Sequence, residues 1–169
     1  MRPAALAILA PLLLGCGDER QPAPETGASP SARPSRAVLV QDRYVVRQSA
    51  RGFDATLSAL LEALDRRELT VFAVIDHAAA ASSVGASLPP TTVVIFGDPQ
   101  AGTPLMAEVA ILGTELPLRA LVYERDGEVF VATTGIANLA RTYPLSGQAE
   151  IPDRVERALN EIANEVAAP

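Results

Sequence analysis

The sequence predicts an α+β domain in which helices pack on one face of a mostly antiparallel sheet. Three observations support this prediction: the element order β-α-β-β-β-β-α, the dipeptide Asp126-Gly127 between two strand-like segments, and an amphipathic helix at the C-terminus. An Asp-Gly connection is typical of an antiparallel hairpin. The apolar stripe of an amphipathic helix must be covered, and one face of a sheet covers it well.

The first half of the domain contains two predicted strands around one clear helix. Val38–Ser49 is predicted as a strand because its valines are flanked by polar residues. The helix follows, with apolar residues at helical spacing: Phe53, Leu57, Leu60, Leu61 and Leu64. Thr70–Ile75 is a compact run rich in β-branched and aromatic residues, which predicts a buried strand. Asp76 ends that strand and is predicted to cap a short helix over Ala78–Ala81.

The second half contains three further predicted strands and the clearest helix. Thr91–Phe96 is predicted as another buried strand, and Thr103 as an N-cap followed by Pro104 at the first helical position. Leu116–Glu124 and Val129–Thr134 form the predicted hairpin. The last helix carries one apolar stripe: Val155, Ala158, Leu159, Ile162, Ala163 and Val166.

The N-terminus carries an export signal, and residues 1–15 are predicted to be a signal peptide. Arg2 precedes the apolar run Ala4–Leu14, which is shorter than the about 20 residues of a membrane-spanning helix. The run ends in Leu13-Leu14-Gly15-Cys16, which resembles the bacterial lipobox. That resemblance implies that Cys16 is lipidated and becomes the mature N-terminus. The alternative is a cleaved signal peptide without a lipid.

The expected domain organisation follows from this start. Residues 16–37 are predicted to be the lipidated cysteine and a disordered tether, because they are rich in Pro and Ser and poor in large apolar residues. Residues 38–169 are the predicted folded domain. The lipid on Cys16 implies a partner, the lipid bilayer, and a location in the cell envelope facing the periplasm or exterior. Gly17 stands where Asp is a common inner-membrane retention signal, which slightly favours the outer membrane.

The amino-acid composition argues against nucleic acid, a disulfide bond and a bound metal ion. The formal net charge is −6 and the acidic excess lies after Val38, so the domain repels phosphate backbones and nucleic acid is not an expected partner. Cys16 is the one cysteine, so no intrachain disulfide is expected. His77 is the one histidine, and a transition-metal site needs several such ligands. We therefore predict neither a metal nor another cofactor, unless a dimer brings two copies of His77 together.

Four polar residues form the first candidate site, for ligand binding or catalysis: Asp76, His77, Arg119 and Glu124. His77 is either a structural residue at a helix start or a residue that contacts a ligand or carries a proton. Arg119 interrupts an otherwise apolar strand, and a buried guanidinium needs an acceptor. It lies either on the solvent face beside Tyr123 or in a concave polar pocket.

The segment from Gly97 to Thr103 is a second candidate. Gly97, Gly102 and Thr103 precede a predicted helix start, where backbone N–H groups can bind an anion. The segment lacks the Gly-Lys-Ser/Thr ending of a phosphate-binding loop. A tight structural turn is the favoured alternative.

Four segments together resemble a known family. They are Ile75-Asp76-His77-Ala78, Ile95-Phe96-Gly97-Asp98-Pro99, Gly102-Thr103-Pro104-Leu105-Met106 and Leu116-Pro117-Leu118-Arg119. In this order and spacing they resemble the family called domain of unknown function 302 (DUF302), over about Tyr44 to Tyr143. The resemblance implies a β-α-β(4)-α fold similar to that of TATA-binding protein, often dimeric, with no established activity. The chain departs from the family pattern at Asp98, where the family usually has Asn.

Two functional hypotheses follow. The favoured one is a non-catalytic, membrane-tethered module that binds a small ligand or an envelope protein, because no catalytic constellation is visible in the sequence. The alternative is an enzyme in which His77 is the general acid or base and Arg119 stabilises an anionic substrate or intermediate. A homodimer is also expected, because an exposed sheet edge favours pairing with a second copy.

Overall fold

The computed structural model describes residues 44–136, 139–147 and 150–169. The predicted signal peptide, the predicted tether that begins at Cys16 and the first residues of the strand predicted from Val38 lie outside these ranges. The described elements are, in order, β1 (Tyr44–Gln48), α1 (Phe53–Asp65), β2 (Thr70–Asp76), α2 (His77–Ser83), β3 (Thr91–Gly97), α3 (Pro99–Glu108), a 3-10 helix (Ala110–Thr114), β4 (Leu118–Arg125), β5 (Glu128–Thr134), α4 (Leu139–Thr142) and α5 (Glu150–Ala167).

The strands form one five-stranded sheet in the order β1-β5-β4-β3-β2, and every pairing is antiparallel. The predicted hairpin is confirmed: Arg125 pairs with Glu128 across the loop Asp126-Gly127. Both loop residues have positive φ, 56° and 79°, as a tight two-residue hairpin turn requires. The α+β class with an antiparallel sheet is therefore confirmed.

Helices α1 and α5 pack against each other and against the same face of the sheet. Leu60 and Leu64 of α1, and Leu159, Ile162 and Val166 of α5, are almost completely buried. They meet the inward-facing side chains of the central strands: Val94, Phe96, Val122 and Val131. The apolar stripes predicted for both helices thus form the core.

Polar contacts fix α5 over this core. The carboxylate of Glu165 accepts hydrogen bonds from Arg66 and from Arg67, the latter at 2.7 Å. On the β1 side, Arg47 Nε donates to Asn164 Oδ1 at 2.7 Å. These bonds join α5 to the end of α1 and to the edge strand β1, so the helix is held at both borders.

The prediction that Thr70–Ile75 is a buried strand is wrong. The segment forms β2, at the free edge of the sheet, and Val71, Phe72, Val74 and Ile75 are 39%, 52%, 50% and 41% exposed. A continuous apolar run predicts burial on both faces, but strand position in the sheet decides whether neighbours supply that burial. Here the described residues supply a partner strand on one side only.

The start of α3 also differs from the prediction. Asp98 is the N-cap and Pro99 occupies the first helical turn, whereas Pro104 lies inside the helix. Asp-Pro and Thr-Pro are equivalent start signals, and the earlier one is used here. No helix in the described part of the chain is long and apolar enough to span a bilayer.

Candidate functional site: an apolar cavity at one end of the sheet

A cavity of about 430 Å³ lies between one end of the sheet, α3 and α5. Its walls are mainly apolar and include Phe96, Leu118, Leu105, Met106, Leu159 and Ile162. This volume falls in the range of about 300–1,000 Å³ that is usual for small-molecule pockets. The cavity thus combines the volume of a small-molecule pocket with a mainly apolar lining.

The turn after β3 builds the first wall of the cavity. The Asp98 carboxylate accepts a hydrogen bond from the Gln100 backbone N–H at 2.8 Å, which satisfies one free donor of the α3 N-terminus. One turn later, a Cβ on Gly102 would lie 3.7 Å from Leu116 Cδ1 and 4.0 Å from Met106 Cε. The absence of a side chain at Gly102 therefore keeps this part of the cavity open.

The opposite wall is the first half of α5. Val155 and Ala158 belong to the predicted apolar stripe but are only half-buried, because they line the cavity at the border of the core. A side-chain contact also places the loop after β5 at this wall: the Ile136 backbone N–H donates to Glu156 Oε2 at 2.7 Å. Ile136 is itself a lining residue, 4% exposed.

A second carboxylate fixes the far end of α3. Glu108 Oε1 accepts hydrogen bonds from Ser146 N at 2.6 Å, Ser146 Oγ at 2.9 Å and Gly147 N at 3.2 Å. The bond from the Gly147 N–H, followed by that from the Ser146 hydroxyl, holds the pKa of the Glu108 carboxyl below its ordinary value. Helix α3 is thus capped at its start and bound to a loop at its end, which makes the first wall well defined.

Three lining residues bring polar or charged side chains to the cavity: Asp98, Thr103 and Arg154, all exposed. Arg154 alone is cationic among the described lining residues, and within the described ranges it forms no ion pair with a carboxylate. The polar groups therefore lie at the rim, and the interior is apolar.

The structure brings one predicted set of residues to this cavity. Gly97, Gly102 and Thr103 all line it. They do not form a tight turn, because Gly97 ends β3 while Gly102 and Thr103 lie within α3. The backbone N–H of Gly102 bonds the Asp98 carbonyl at 2.9 Å, so it is already occupied as a donor.

None of the other predicted set, Asp76, His77, Arg119 and Glu124, lines the cavity. The Asp76 carboxylate caps α2 as predicted, accepting from Ala79 N at 2.9 Å, and His77 is exposed as the first residue of that helix. Glu124 lies two residues beyond Val122, at the same end of the sheet as Asp76. The cavity lies at the opposite end.

Arg119 lies on the opposite face of the sheet from Asp76 and Glu124. It pairs with Ile95, whereas Asp76 pairs with Thr92, three residues along β3. An odd separation places the two side chains on opposite faces, about 10 Å apart along the strand. Arg119 is exposed on the face that also carries Tyr123, the solvent-face alternative of the sequence analysis. The register therefore does not bring Arg119 and Asp76 together on one face of the sheet.

The cavity residues that sequence reasoning missed are Phe72, Met106, Ala158 and Arg154. They come from three separate elements, β2, α3 and α5, so no local pattern joins them. One signal is present in the sequence: the α5 stripe has the small residue Ala158 between Val155 and Leu159, which leaves space beside Leu159. In the described residues, no group of three or more His, Cys, Asp or Glu side chains is arranged to hold a metal ion.

The curated relatives of this chain are longer proteins. It is 32% identical over 119 residues to proteins named fluoride-specific ion channel FluC 1, from Brucella suis and from Brucella abortus. The match covers 70% of this chain and 47% or 44% of those relatives, so the chain spans about half of their length.

A solved structure and a family model agree on the domain. The crystal structure of an uncharacterised DUF302 protein from Bacillus stearothermophilus matches with a TM-score of 0.66 at 18% identity, over 73% of this chain and 97% of that one. It supports the fold. The family model for the domain of unknown function DUF302 matches residues 45–166, which extends the resemblance through α5. The chain belongs to the DUF302 family.

Proposed function

We propose that this protein is a membrane-tethered, extracytoplasmic lipoprotein whose DUF302 domain binds a small, mainly apolar ligand. The observation that carries the binding part is the 430 Å³ cavity, whose interior side chains are apolar. Covering these side chains with an apolar ligand is favourable by about 25 cal/mol per Å² of apolar surface. A strongly polar ligand would lose its hydration there without gaining partners.

The residues of the cavity walls keep the cavity open, which supports a binding role. Core space that serves packing alone is normally filled by side chains. Here Gly102 and Ala158 leave the space open on the two facing helices, while Glu108 and Glu156 hold the surrounding segments in place. A preformed pocket of this kind loses little entropy when a ligand enters.

A cavity-filling substitution tests the binding proposal. The neutral fluorescent probe N-phenyl-1-naphthylamine is titrated into the full chain carrying Cys16→Ser, prepared without detergent. We expect saturable one-to-one binding that is lost in Gly102→Leu, because the new side chain enters the cavity. Ala107→Leu is the matched control, since Ala107 lies on the same helix, exposed and outside the lining.

The same titration contains a competitor arm. Because the curated relatives are named as fluoride-specific ion channels, sodium fluoride is added to the probe complex. We expect no displacement, since a small, strongly hydrated anion gains nothing from an apolar interior. Equal probe binding by Gly102→Leu and the wild type, or displacement by millimolar fluoride, would contradict the proposal.

The tether is proposed from Leu13-Leu14-Gly15-Cys16 alone. We expect the expressed wild-type protein to incorporate a radiolabelled or clickable fatty acid and to sediment with membranes. Cys16→Ser should abolish both the label and the sedimentation, since a cysteine thioether is the expected attachment point. Labelling that persists in Cys16→Ser, or a wild-type protein without label, would refute the anchor.

A second copy of this chain is the proposed partner at the β2 edge. The free edge exposes four large apolar residues, Val71, Phe72, Val74 and Ile75. Ile75 also begins a row of apolar residues that crosses the sheet on the face opposite α1 and α5: Ile75, Val93, Leu121, Ala132 and Val46. Two identical edge strands can pair about a twofold axis. This pairing provides hydrogen-bond partners for the free backbone N–H and C=O groups of each edge and also covers the exposed apolar side chains.

A further inference from the structure

We infer that the ligand of the cavity is an anionic amphiphile, with its apolar chain among the lining residues and its charged head beside Arg154. This inference rests on the proposed binding function and names the class of ligand. It follows from the position of one guanidinium at the rim of an apolar interior.

The interior excludes a head group. Phe96, Leu105 and Leu159 are at most 2% exposed and offer no hydrogen-bond partner through their side chains. A charged or strongly polar group placed there would pay its full desolvation cost. The polar end of a ligand must therefore stay at the rim, where water and polar side chains remain available.

The rim carries a cation that the described protein does not neutralise. Arg154 lines the cavity and forms no ion pair within the described residues. Two other exposed arginines of the domain have protein partners: Arg66 bonds Glu165 and Glu62, and Arg125 lies over the Phe130 ring. A guanidinium presents several donors in a planar fork that fits a carboxylate or a phosphate. The Thr103 hydroxyl, also at the rim, adds one further donor.

Asp98 is the acidic residue of the cavity lining, and its charge predicts the direction in which its replacement changes the affinity for an anion. Its carboxylate caps α3 but remains exposed at the cavity, where its negative charge opposes an anionic head. Replacing it by Asn keeps an oxygen for the cap and removes that charge. The two rim charges therefore predict opposite effects: removing Arg154 weakens binding of an anion, and neutralising Asp98 strengthens it.

The size of the cavity suits one chain of moderate length. A water molecule occupies about 30 Å³ in the liquid, and a methylene group is of similar size. A cavity of about 430 Å³ thus holds on the order of 14 such groups. One acyl chain of moderate length fits this space.

The experiment measures displacement of N-phenyl-1-naphthylamine by four ten-carbon amphiphiles below their critical micelle concentrations. Decanoate and decyl phosphate carry anionic heads, decanol a neutral head and decyltrimethylammonium a cationic head. The protein is the full chain with Cys16→Ser. We expect the two anions to bind about tenfold more tightly than decanol, in keeping with a charge-assisted hydrogen bond at a partly hydrated site. Their order distinguishes a carboxylate from a phosphate head.

The variants assign the effect to the rim. Arg154→Gln should remove the preference for anions and leave decanol affinity within twofold of the wild type. Asp98→Asn should raise decanoate affinity severalfold. Arg157→Gln is the matched control, because Arg157 lies one turn away on α5, exposed and outside the lining; it should change nothing.

Three results would overturn the inference while leaving the proposed function intact. These are tighter binding of decanol or decyltrimethylammonium than of both anions, an anion preference that survives Arg154→Gln, and an equal loss in Arg154→Gln and Arg157→Gln. Binding of the probe without binding of any of the four amphiphiles would overturn it as well. Failure of the probe itself to bind would instead contradict the proposed function.

Discussion

The Glu156 carboxylate accepts a hydrogen bond of 2.7 Å from the backbone N–H of Ile136, and this bond joins α5 to the segment that follows β5. Ile136 lines the cavity and is nearly buried. The two residues are 20 positions apart in the sequence. It therefore fixes the position of a wall that no local element holds.

Glu156→Ala is expected to loosen this wall. Loss of a hydrogen bond to a charged acceptor costs about 1.5–3 kcal/mol when the donor is left unpaired. Hydrogen exchange at the Ile136 amide should accelerate, and probe affinity should fall. Glu161→Ala, at an exposed position of the same helix, is the control and should leave both measurements unchanged. An unaltered Ile136 exchange rate in Glu156→Ala would contradict this role.

Asp98→Ala is expected to destabilise the domain by about 1 kcal/mol, because it removes the N-cap of α3. Asp98→Asn should cost less than about 0.5 kcal/mol, since Asn is an equally good cap. Urea denaturation of the two variants gives the comparison. Equal losses would show that the negative charge, rather than the cap oxygen, is the stabilising feature.

Glu165→Gln is expected to lower stability at neutral pH and to have no effect at acid pH. The hydrogen bond from Arg66, and then that from Arg67, holds the pKa of the Glu165 carboxyl below its ordinary value. A carboxyl with a lowered folded pKa stabilises the fold above its unfolded pKa, and the stabilisation is lost as pH falls through the folded pKa.

The expected size of that effect is small. The Glu165 side chain is 38% exposed, so solvent screens the pairs and about 0.5–1 kcal/mol is expected near pH 7. Urea denaturation at pH 7 and below pH 3 measures the difference between the two proteins. A difference that persists undiminished in acid would mean that packing, not ionisation, explains the loss.

Leu60→Ala is expected to cost about 2–5 kcal/mol, because Leu60 is fully buried between α1 and the sheet. Leu88→Ala is the comparison of identical chemistry, at a position that is 43% exposed. It should change the free energy of unfolding by no more than about 0.5 kcal/mol. Similar values for the two variants would argue against the core described above.

Ile75→Arg is expected to convert the proposed homodimer into a monomer. It places a charge at the β2 edge, where like charges from the two copies would meet. Light scattering on the full chain with Cys16→Ser should give twice the chain mass for this background and the chain mass for the variant. Val84→Arg, at an 80% exposed position outside the strands, should remain a dimer. A monomeric background protein would refute the dimer directly.

Much of the fold was predictable because its signals are local. The hairpin needed two adjacent residues with positive φ, and Asp126-Gly127 supplies them. The α5 stripe repeats at helical spacing, and four of its six predicted residues, Leu159, Ile162, Ala163 and Val166, are buried.

The errors arose where two local signals were equal or where burial depended on a neighbour. Asp98-Pro99 and Thr103-Pro104 both specify a helix start, and the structure uses the first of them. The apolar composition of Thr70–Ile75 correctly predicts a strand, but the position of this strand at the edge of the sheet follows from the strand order.

The candidate site was less predictable than the fold, and the reason is geometric. The sequence singled out Gly97, Gly102 and Thr103 but assigned them to a turn. It grouped Arg119 with Asp76 and His77 because all four residues of that set lie near strand ends. The sequence does not show that Arg119 and Asp76 occupy opposite faces of the sheet, since this depends on cross-strand register.

By itself the sequence determined the class of fold, the elements and the two helical faces, because periodicity and turn chemistry act over a few residues. Only the tertiary structure decided that Phe96, Met106, Arg154 and Leu159 surround one cavity. These residues lie on separate elements, and the space between them exists only after the sheet, α3 and α5 have packed together. The sequence specifies which side chains are present, whereas the cavity that they line forms only when the elements pack together.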